Sequence, residues 1–516
     1  MKRWTKQVNE KYFYGGRIVF PYIIPLVVVG FLSGLLAFYY FSFNFLIIVL
    51  FLVWLVGFWL IGFFLKYRFI FWLAIFLIFF TIGLGRGFIF EAGIRDSFLE
   101  GFLEQKISLS GQVISSPECQ NFYCRFVFQP TNSQAKVLVS TRGENVDFSC
   151  GQYLEINGKL ARPQAFIDEQ GKLFAYDRYL AGRKIAYTIS FATFEKSEQE
   201  SWHYCSWLSS LKESLLAGPK RYLPEPHYSY FAGMSSGDRL PEKNRQIASQ
   251  VGLAHLFVVS GYHLQIIATA LFSLFYFLKP TFRLLSTSGI IFLFIALTGF
   301  KFSAWRAGLM AVLAGILFIF GRPKKSFYIL LAVLLFLSFL SPPALLYDRG
   351  FQLSFLAATG LVLLGDFWKR KIDFLPDNFN FKDNTAAFLA VYSIIFPALL
   401  LFFGGVSIWS WPANIAVVPL APLIIFFGFL TGLIYIIPPN FLGQWLAFIP
   451  AVISYFLLSV VVQLVNLFYF LTNYQNSQWN IFSSLLLLII VIMVIRKRLN
   501  LSTIIIKGKK CYNKKL

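Results

Sequence analysis

The stretch Gly252–Ala268, GLAHLFVVSGYHLQIIA, holds two of the four histidines of a 516-residue chain within an apolar run. A polar side chain inside a membrane helix is costly, and by default it indicates a pathway or a binding site. Gly261, which follows Ser260, permits a kink or a close helix approach. At helical spacing His255 and His263 lie about 80° apart, so we expect both rings to face one cavity. Histidines that only hydrogen-bond a neighbouring helix fit the same pattern.

The composition around this stretch is that of a polytopic membrane protein. Hydrophobic residues make up 57% of the chain and charged residues only 14%, and the mean hydropathy is +0.65. These values exclude an ordinary soluble globular protein. The formal net charge of +22 fits cytoplasmic loops rich in Lys and Arg, and it is also compatible with an anionic polymer as substrate.

The N-terminal part predicts an anchor of three membrane spans. Three apolar runs, Phe20–Phe41, Asn44–Leu65 and Phe69–Phe90, are each long enough to cross a hydrocarbon core of about 30 Å as a helix. Basic residues precede the first run and separate the second from the third. The positive-inside bias therefore places the N-terminus in the cytoplasm and the segment after the third span outside.

That outer segment, 91–200, changes from long apolar runs to short alternating ones, which is typical of β-strands. Turn-forming residues separate these runs. Several short strands within about a hundred residues favour a small β-barrel, with an OB-type barrel as the leading candidate. The predicted strands are Ile107–Ile114, Arg125–Gln129, Lys136–Thr141 and Tyr153–Leu160.

Three cysteines of the outer segment, Cys119, Cys124 and Cys150, are disulfide candidates. An oxidising exterior favours one bond among them. We favour Cys119 or Cys124 with Cys150, because that bond would join different strands. Unpaired buried thiols are the alternative.

The remaining chain predicts an amphipathic linker at 201–250, a multi-span block at 251–495 and a basic cytoplasmic tail at 496–516. With the anchor at 1–90 this gives about 12 spans, and basic connections that fall on one side place the C-terminus inside as well. The second and fourth spans of the block are short enough to be re-entrant or broken helices. The nine predicted spans are Val251–Leu278, Leu284–Gly299, Phe302–Phe320, Phe327–Leu340, Gly350–Phe367, Thr385–Gly404, Ile408–Ile437, Phe441–Leu471 and Asn480–Ile495.

Three further polar residues of this block are candidates for a transport path. Arg306 either snorkels to the headgroups or lines a pore for phosphates, with which arginine pairs bidentately. Gln352 and Ser354 either line a wet cavity or bridge helices, and bridging is the commoner fate. Prolines and an asparagine in Trp411–Pro422 break the predicted seventh span, and such discontinuous helices often border transport sites, although a simple kink is more frequent.

Several of these motifs resemble those of the ComEC competence proteins, the DNA-uptake channels of naturally transformable bacteria. The segment GLAHLFVVSGYHLQ, with Gly237-Asp238-Arg239 upstream, is similar to the family's signature. Arg306-Ala307-Gly308 and Gly350-Phe351-Gln352-Leu353-Ser354 resemble two further signatures. The match departs at Tyr262, where the family more often has an aliphatic residue.

The resemblance implies a multi-pass channel of the bacterial plasma membrane that passes single-stranded DNA into the cytoplasm. It also implies an OB-like outer domain, an outer-face DNA receptor and a cytoplasmic motor protein, and it is compatible with a homo-oligomer. Many family members end in a metallo-β-lactamase-like domain. The His-x-His-x-Asp-His motif of such a domain is absent, so we expect no enzymatic activity, no cofactor and no metal. A separate nuclease would then degrade the second strand.

Two other classes of function remain open at this point. A secondary transporter of a small anion or polymer precursor fits the broken helices and the intramembrane histidines, and internal repeats would favour it. An intramembrane enzyme that uses His255 or His263 as a base would need a carboxylate pair, a nucleophile or a metal motif, none of which is evident.

Overall fold

The architecture comes from a computed structural model, whose chain divides into two compact units that are considered separately. One unit comprises Met1–Glu213 and Ile267–Gln352, and the other comprises Ser214–Ile266 and Leu353–Leu516. The structure describes residues 20–41, 68–120, 122–143, 146–167, 171–200, 203–257, 261–321, 326–375, 381–403, 405, 407, 409–436 and 441–474.

The first two described helices, α1 (Phe20–Phe41) and α2 (Arg68–Ile94), pack in parallel. A methyl group on Gly34 of α1 would lie 2.0 Å from a backbone oxygen of α2, so only glycine permits this approach. The bounds of α1 confirm the predicted first span, while the predicted second span, Asn44–Leu65, lies outside the described residues.

The chain then forms a short helix, α3, and the β domain. The strands and helices of this domain are α3 (Ser97–Glu100), β1 (Lys106–Val113), β2 (Glu118–Gln120), β3 (Tyr123–Pro130), β4 (Lys136–Arg142), β5 (Gln152–Ala161), β6 (Phe166–Ile167), β7 (Leu173–Phe174), α4 (Tyr176–Ala181) and β8 (Ile185–Glu200). All four predicted strands are present as β1, β3, β4 and β5, with ends that differ by at most two residues. Sequence analysis missed β8, the longest strand.

The main sheet has the strand order β1-β5-β8-β4-β3-β2, and β1 pairs with β3 as well. All pairings are antiparallel except the one between β4 and β8. Buried and exposed residues alternate along β3 and β4. The buried side chains, among them Phe126, Phe128, Val139 and Ile156, form one hydrophobic core that Leu99 of α3 joins.

Two disulfides stabilise this region. Cys119 pairs with Cys124 across the β2–β3 hairpin, and Cys150 pairs with Cys205. The expected disulfide between Cys150 and either Cys119 or Cys124 is therefore wrong. Cys119 and Cys124 face each other in the ladder, whereas Cys205 follows the β domain in the chain and was left out of the prediction.

The rest of the described chain is helical. The helices are α5 (Tyr204–Tyr222), α6 (His227–Ser236), α7 (Glu242–Gln250), α8 (Gly261–Leu274), α9 (Pro280–Leu297), α10 (Phe302–Ile319), α11 (Ser326–Leu340), α12 (Ala344–Tyr347), α13 (Arg349–Lys371), α14 (Phe381–Phe403), α15 (Ser410–Val417), α16 (Ala421–Ile436) and α17 (Phe441–Tyr474). A 3₁₀ turn, Val418–Leu420, interrupts the apolar segment between α15 and α16. This break falls at the prolines that predicted it.

The protein is a multi-pass membrane protein. Eight helical segments of the described chain are long and apolar enough to cross a membrane: Ile23–Phe41, Trp72–Ile94, Pro280–Leu297, Phe302–Ile319, Arg349–Lys371, Phe381–Phe403, Ser410–Ile436 and Gly443–Asn473. The predicted last span, Asn480–Ile495, lies outside the described residues.

One predicted span is wrong as a continuous helix. Val251–Leu278 was expected to cross the membrane, but residues 251–257 are not helical and α8 has only 14 residues. Of the two spans expected to be short, the second is an 18-residue helix, α9, and the fourth is the 15-residue helix α11.

Candidate functional site

The residues that follow α7 form a compact turn, residues 251–257, which we name the histidine turn. Its backbone continues from α7 through a hydrogen bond from Leu253 N to Ala248 O of 2.8 Å. The apolar residues Val251, Leu253, Leu256 and Phe257 are buried, while His255 is exposed. The apolar run that predicted a membrane helix therefore begins with the buried residues of a turn.

Gly252 explains why the chain turns here. Its φ of +79° lies in the left-handed region, which glycine adopts without strain. A methyl group at this position would also lie 2.5 Å from Cβ of Ser410 in α15. The turn therefore needs glycine both for its backbone conformation and for its contact with α15.

Asn414 of α15 joins the helix to the histidine turn. Its Nδ2 donates to Ser410 O at 2.7 Å and lies 3.4 Å from Gly252 O, and Ser410 Oγ accepts from the Tyr392 hydroxyl at 3.1 Å. His255 lies three residues after Gly252, on the turn that the Asn414 amide contacts.

His263 lies in the first turn of α8, directly after Gly261 and Tyr262, and only 1% of its surface is exposed. The structure brings the two imidazoles close enough to interact electrostatically. One ring is accessible and the other is buried, so the two histidines have different surroundings. Ser260 lies outside the described residues, and the shared cavity stays a prediction.

Arg306 lies in the second turn of α10, in the other unit. Its side chain is half-buried, and its Nη1 is 3.7 Å from Sδ of Met310, one helical turn further on. A thioether is a weak acceptor for a guanidinium. Both the snorkelling and the phosphate-binding interpretation of Arg306 stay open.

Gln352 is engaged within the protein. Its Nε2 donates to Leu345 O at 2.9 Å and to Leu346 O at 2.8 Å, two carbonyl groups of the short helix α12 that no residue within α12 can pair. This favours the bridging interpretation over a cavity-lining one. Ser354, two residues further along α13, is also partly buried.

One cluster of metal-ligand type occurs among the described residues. Ligand atoms of Cys150, His203 and Cys205 lie within 4.8 Å of one another. The two sulfurs form a disulfide, and a metal ligand must be a thiolate. The cluster is therefore a disulfide with a neighbouring histidine.

Sequence analysis missed the roles of Asn414, Ser410 and Tyr392. Asn414 lies in the segment that predicted the helix break, but the spacing along the chain gave no reason to place it against Gly252. Ser410 and Tyr392 are common in membrane helices as packing residues, so no signal distinguished them.

The competence-protein family model matches residues 234–498, just over half of the chain, and this segment contains the histidine turn, α8 and Asn414. The chain belongs to the competence protein family. The resemblance drawn from GLAHLFVVSGYHLQ is therefore confirmed.

Among curated proteins, the chain is similar to ComE operon protein 3 of Bacillus subtilis (strain 168). The two are 26% identical over 334 residues, which cover 62% of this chain and 40% of the relative. The chain thus aligns with less than half the length of that relative. No solved structure matches the chain significantly.

Proposed function

We propose that the chain is a DNA-uptake channel that passes single-stranded DNA across the plasma membrane into the cytoplasm during natural transformation. The observation that carries the proposal is the joining of the histidine turn to the broken helix α15–α16 through Asn414, inside the segment that the competence model matches. Irregular backbone at membrane depth is tolerated only where protein buries it or where it borders water. His255, exposed on such a turn, is the side chain that we place on the path.

The β domain supports the proposal through its strand pairing. Strands β1, β3, β4, β8 and β5 form a continuous ring of pairings, because β1 pairs with both β5 and β3, and β2 is a third neighbour of β3. We infer a closed five-stranded barrel in which β4 and β8 are the parallel pair, the arrangement of an OB-type barrel. Barrels of this type bind oligonucleotides on the face of their second and third strands, here β3 and β4.

This face and the adjoining strand β8 carry arginines next to aromatic rings. The guanidinium carbon of Arg125 lies 4.9 Å from the Tyr123 ring centroid, and that of Arg142 lies 5.0 Å from the Phe191 ring centroid. Tyr123 and Arg142 are direct cross-strand neighbours. Exposed rings offer stacking to bases, and guanidinium groups offer pairing to phosphates, without reading sequence.

Phe191 is unusual among these residues because its backbone is strained. Its φ is +56° in a β-bulge, and two-thirds of its surface is exposed. A bulky residue in this conformation is an outlier that costs about 1–3 kcal/mol. No burial compensates for that cost, which fits a ring held outward for a ligand. We name Tyr123, Arg125, Arg142 and Phe191 the arginine–aromatic face.

The proposal also includes the setting of the channel. The β domain lies outside the cell, both termini lie in the cytoplasm, and DNA arrives from an outer receptor and is drawn in by a motor protein. The chain itself carries no enzymatic activity, so a separate nuclease degrades the complementary strand. The channel acts alone or as a homo-oligomer.

Two measurements test the proposal. The full chain should restore transformation in a strain that lacks its own competence channel, and purified chain in nanodiscs should bind fluorescent oligothymidylate. Phe191→Ala should weaken binding by about 1–3 kcal/mol, which is on the order of 10-fold or more, while Arg162→Ala should not, because Arg162 pairs with Glu100 away from this face.

A secondary transporter is the competing function, favoured by the discontinuous helix α15–α16. A secondary transporter would transport a small anion and would not bind oligothymidylate, and Phe191→Ala would leave its transport unchanged. Failure to restore transformation together with absence of binding would replace the DNA channel by this alternative.

A further inference from the structure

A short β-hairpin of the β domain, formed by β6 and β7, exposes large apolar side chains. Phe166, Ile167 and Leu173 are 49%, 71% and 72% exposed, respectively. Single exposed apolar residues are ordinary on protein surfaces, but a contiguous group marks an interaction site. Ile167 and Leu173 are paired across the hairpin, so they form one patch.

The hairpin is fixed to helix α4 through aromatic rings. The Phe166 and Tyr176 centroids are 5.7 Å apart, as are those of Phe174 and Tyr179, and the Tyr176 and Tyr179 rings stack at 6.2 Å. Such ring pairs stabilise the packing beyond the burial of their area. The position of α4 therefore determines the position of the apolar patch.

Helix α4 in turn lies on the ends of membrane helices. Arg178 forms an ion pair with Glu91 near the end of α2, and its guanidinium carbon is 5.7 Å from the ring centroid of Tyr39 near the end of α1. Ser341, directly after α11, donates to Gly182 O at 2.7 Å. Three helices thus end at the level of α4.

The hairpin contacts the start of a fourth membrane helix directly. The guanidinium carbon of Arg349, the first residue of α13, lies 5.1 Å from the Phe174 ring centroid. Glu91, Tyr39, Ser341 and Arg349 all stand at ends of helices whose apolar stretches cross the membrane or pack beside those that do. Both the hairpin and its support are therefore at the height where hydrocarbon gives way to water.

We propose that the β6–β7 hairpin is an interfacial membrane anchor whose Ile167 and Leu173 lie in the headgroup layer of the leaflet on the β-domain side of the membrane. At this height the lipid surface lies beside the apolar patch, and burial of apolar area there is favourable. The sequence between the two strands contains Asp168 and Glu169, which favours the headgroup layer over the acyl chains.

The anchor holds the β domain at a fixed height and tilt over the membrane. It does not depend on DNA or on the channel function proposed above, because it follows from the contacts of α4 and from the exposed patch alone. Its failure and that of the DNA channel are thus separate outcomes.

The depth of the hairpin can be measured by spin labelling of the full chain in phosphatidylcholine–phosphatidylglycerol proteoliposomes. Cys511→Ser removes the cysteine that is outside the two disulfides. Ile167→Cys and Leu173→Cys then carry the nitroxide, with Phe122→Cys as a matched control, since Phe122 is 76% exposed in the β2–β3 turn. Power saturation compares access of oxygen, which concentrates in lipid, with access of a water-soluble nickel chelate.

We expect the ratio of oxygen access to nickel access to be several-fold higher for labels at 167 and 173 than for the label at 122. Equal nickel access at all three positions would overturn the proposal. Low access to both reagents at 167 and 173 would also overturn it, and would indicate a protein partner. Mass spectrometry of the two native disulfides in each labelled variant verifies that the β domain is folded.

Discussion

In the β domain buried and exposed residues alternate along the strands, whereas in the histidine turn four buried apolar residues surround one exposed histidine. Each strand of the β domain has water on one side and a core on the other, so alternation of polar and apolar residues in the sequence predicts the strands. In the histidine turn the apolar side chains are buried by protein, so hydropathy does not distinguish a buried turn from a spanning helix. A hydropathy pattern therefore predicts structure where one side of an element faces water and the other side faces a hydrophobic core.

The β domain and the histidine turn also differ in the contacts that stabilise them. The β domain has a contiguous hydrophobic core and two disulfides. The histidine turn depends on a close approach at Gly252 and on the Asn414 amide. We therefore expect the turn to tolerate single substitutions less well than the β domain does.

The largest effect is expected for Gly252→Val. Valine is β-branched and cannot adopt a φ of +79° without strain of about 1–3 kcal/mol, and its Cβ would meet Ser410 at 2.5 Å. Transformation should be abolished or membrane abundance should collapse, as measured by transformation frequency with immunoblots. Gly365→Ala is the control, because only its own helix lies near that position. Wild-type behaviour of Gly252→Val would refute the role of the turn.

The disulfides of the β domain should differ from each other. Cys150–Cys205 closes a loop of 55 residues and Cys119–Cys124 a loop of five, and loop closure stabilises more for the longer loop. Cys150→Ser with Cys205→Ser should cost about 2–5 kcal/mol of unfolding free energy, and Cys119→Ser with Cys124→Ser should cost less. Protease resistance of the β domain against temperature measures both, and the reverse order would contradict the assignment.

Asn414→Ala should have an intermediate effect. It removes the amide that donates to Ser410 O and lies 3.4 Å from Gly252 O, and the loss of one such hydrogen bond costs about 0.5–1.5 kcal/mol. Membrane abundance on immunoblots and transformation frequency measure the effect.

His255→Gln preserves hydrogen bonding without the capacity to take a proton, so it should leave abundance normal while lowering uptake if the ring acts on the path. Normal uptake in a His255→Gln, His263→Gln double variant would leave both histidines as packing residues.

The smallest effect concerns pH in the β domain. Burial, together with the nearby charge of Lys136, lowers the pKa of His203 below its ordinary value of 6.5, so the folded state prefers the neutral ring. The unfolded state then binds more protons as the pH falls below about 6.5, and stability declines in that range. In His203→Gln the loss of protease resistance between pH 7.5 and pH 5.5 should be smaller. An unchanged pH profile would exclude the ring as its source.

The sequence by itself determined the membrane class, the position of the inserted β segment, four of its strands and the family. Each of these follows from local information: the length of an apolar run, a period of two, or a motif of adjacent residues. The helix break in Trp411–Pro422 was also readable, because proline removes a backbone donor wherever it stands.

Only the tertiary structure decided which distant residues meet. Cys150 pairs with Cys205, Asn414 reaches Gly252, and the β6–β7 hairpin lies at the ends of the membrane helices. Nothing in the spacing of these residues encodes the contacts, because each depends on how complete elements pack. Gly252 shows the reason most directly: its neighbours in the chain suggest a helix, and the close approach of Ser410, 158 residues away, makes it a turn.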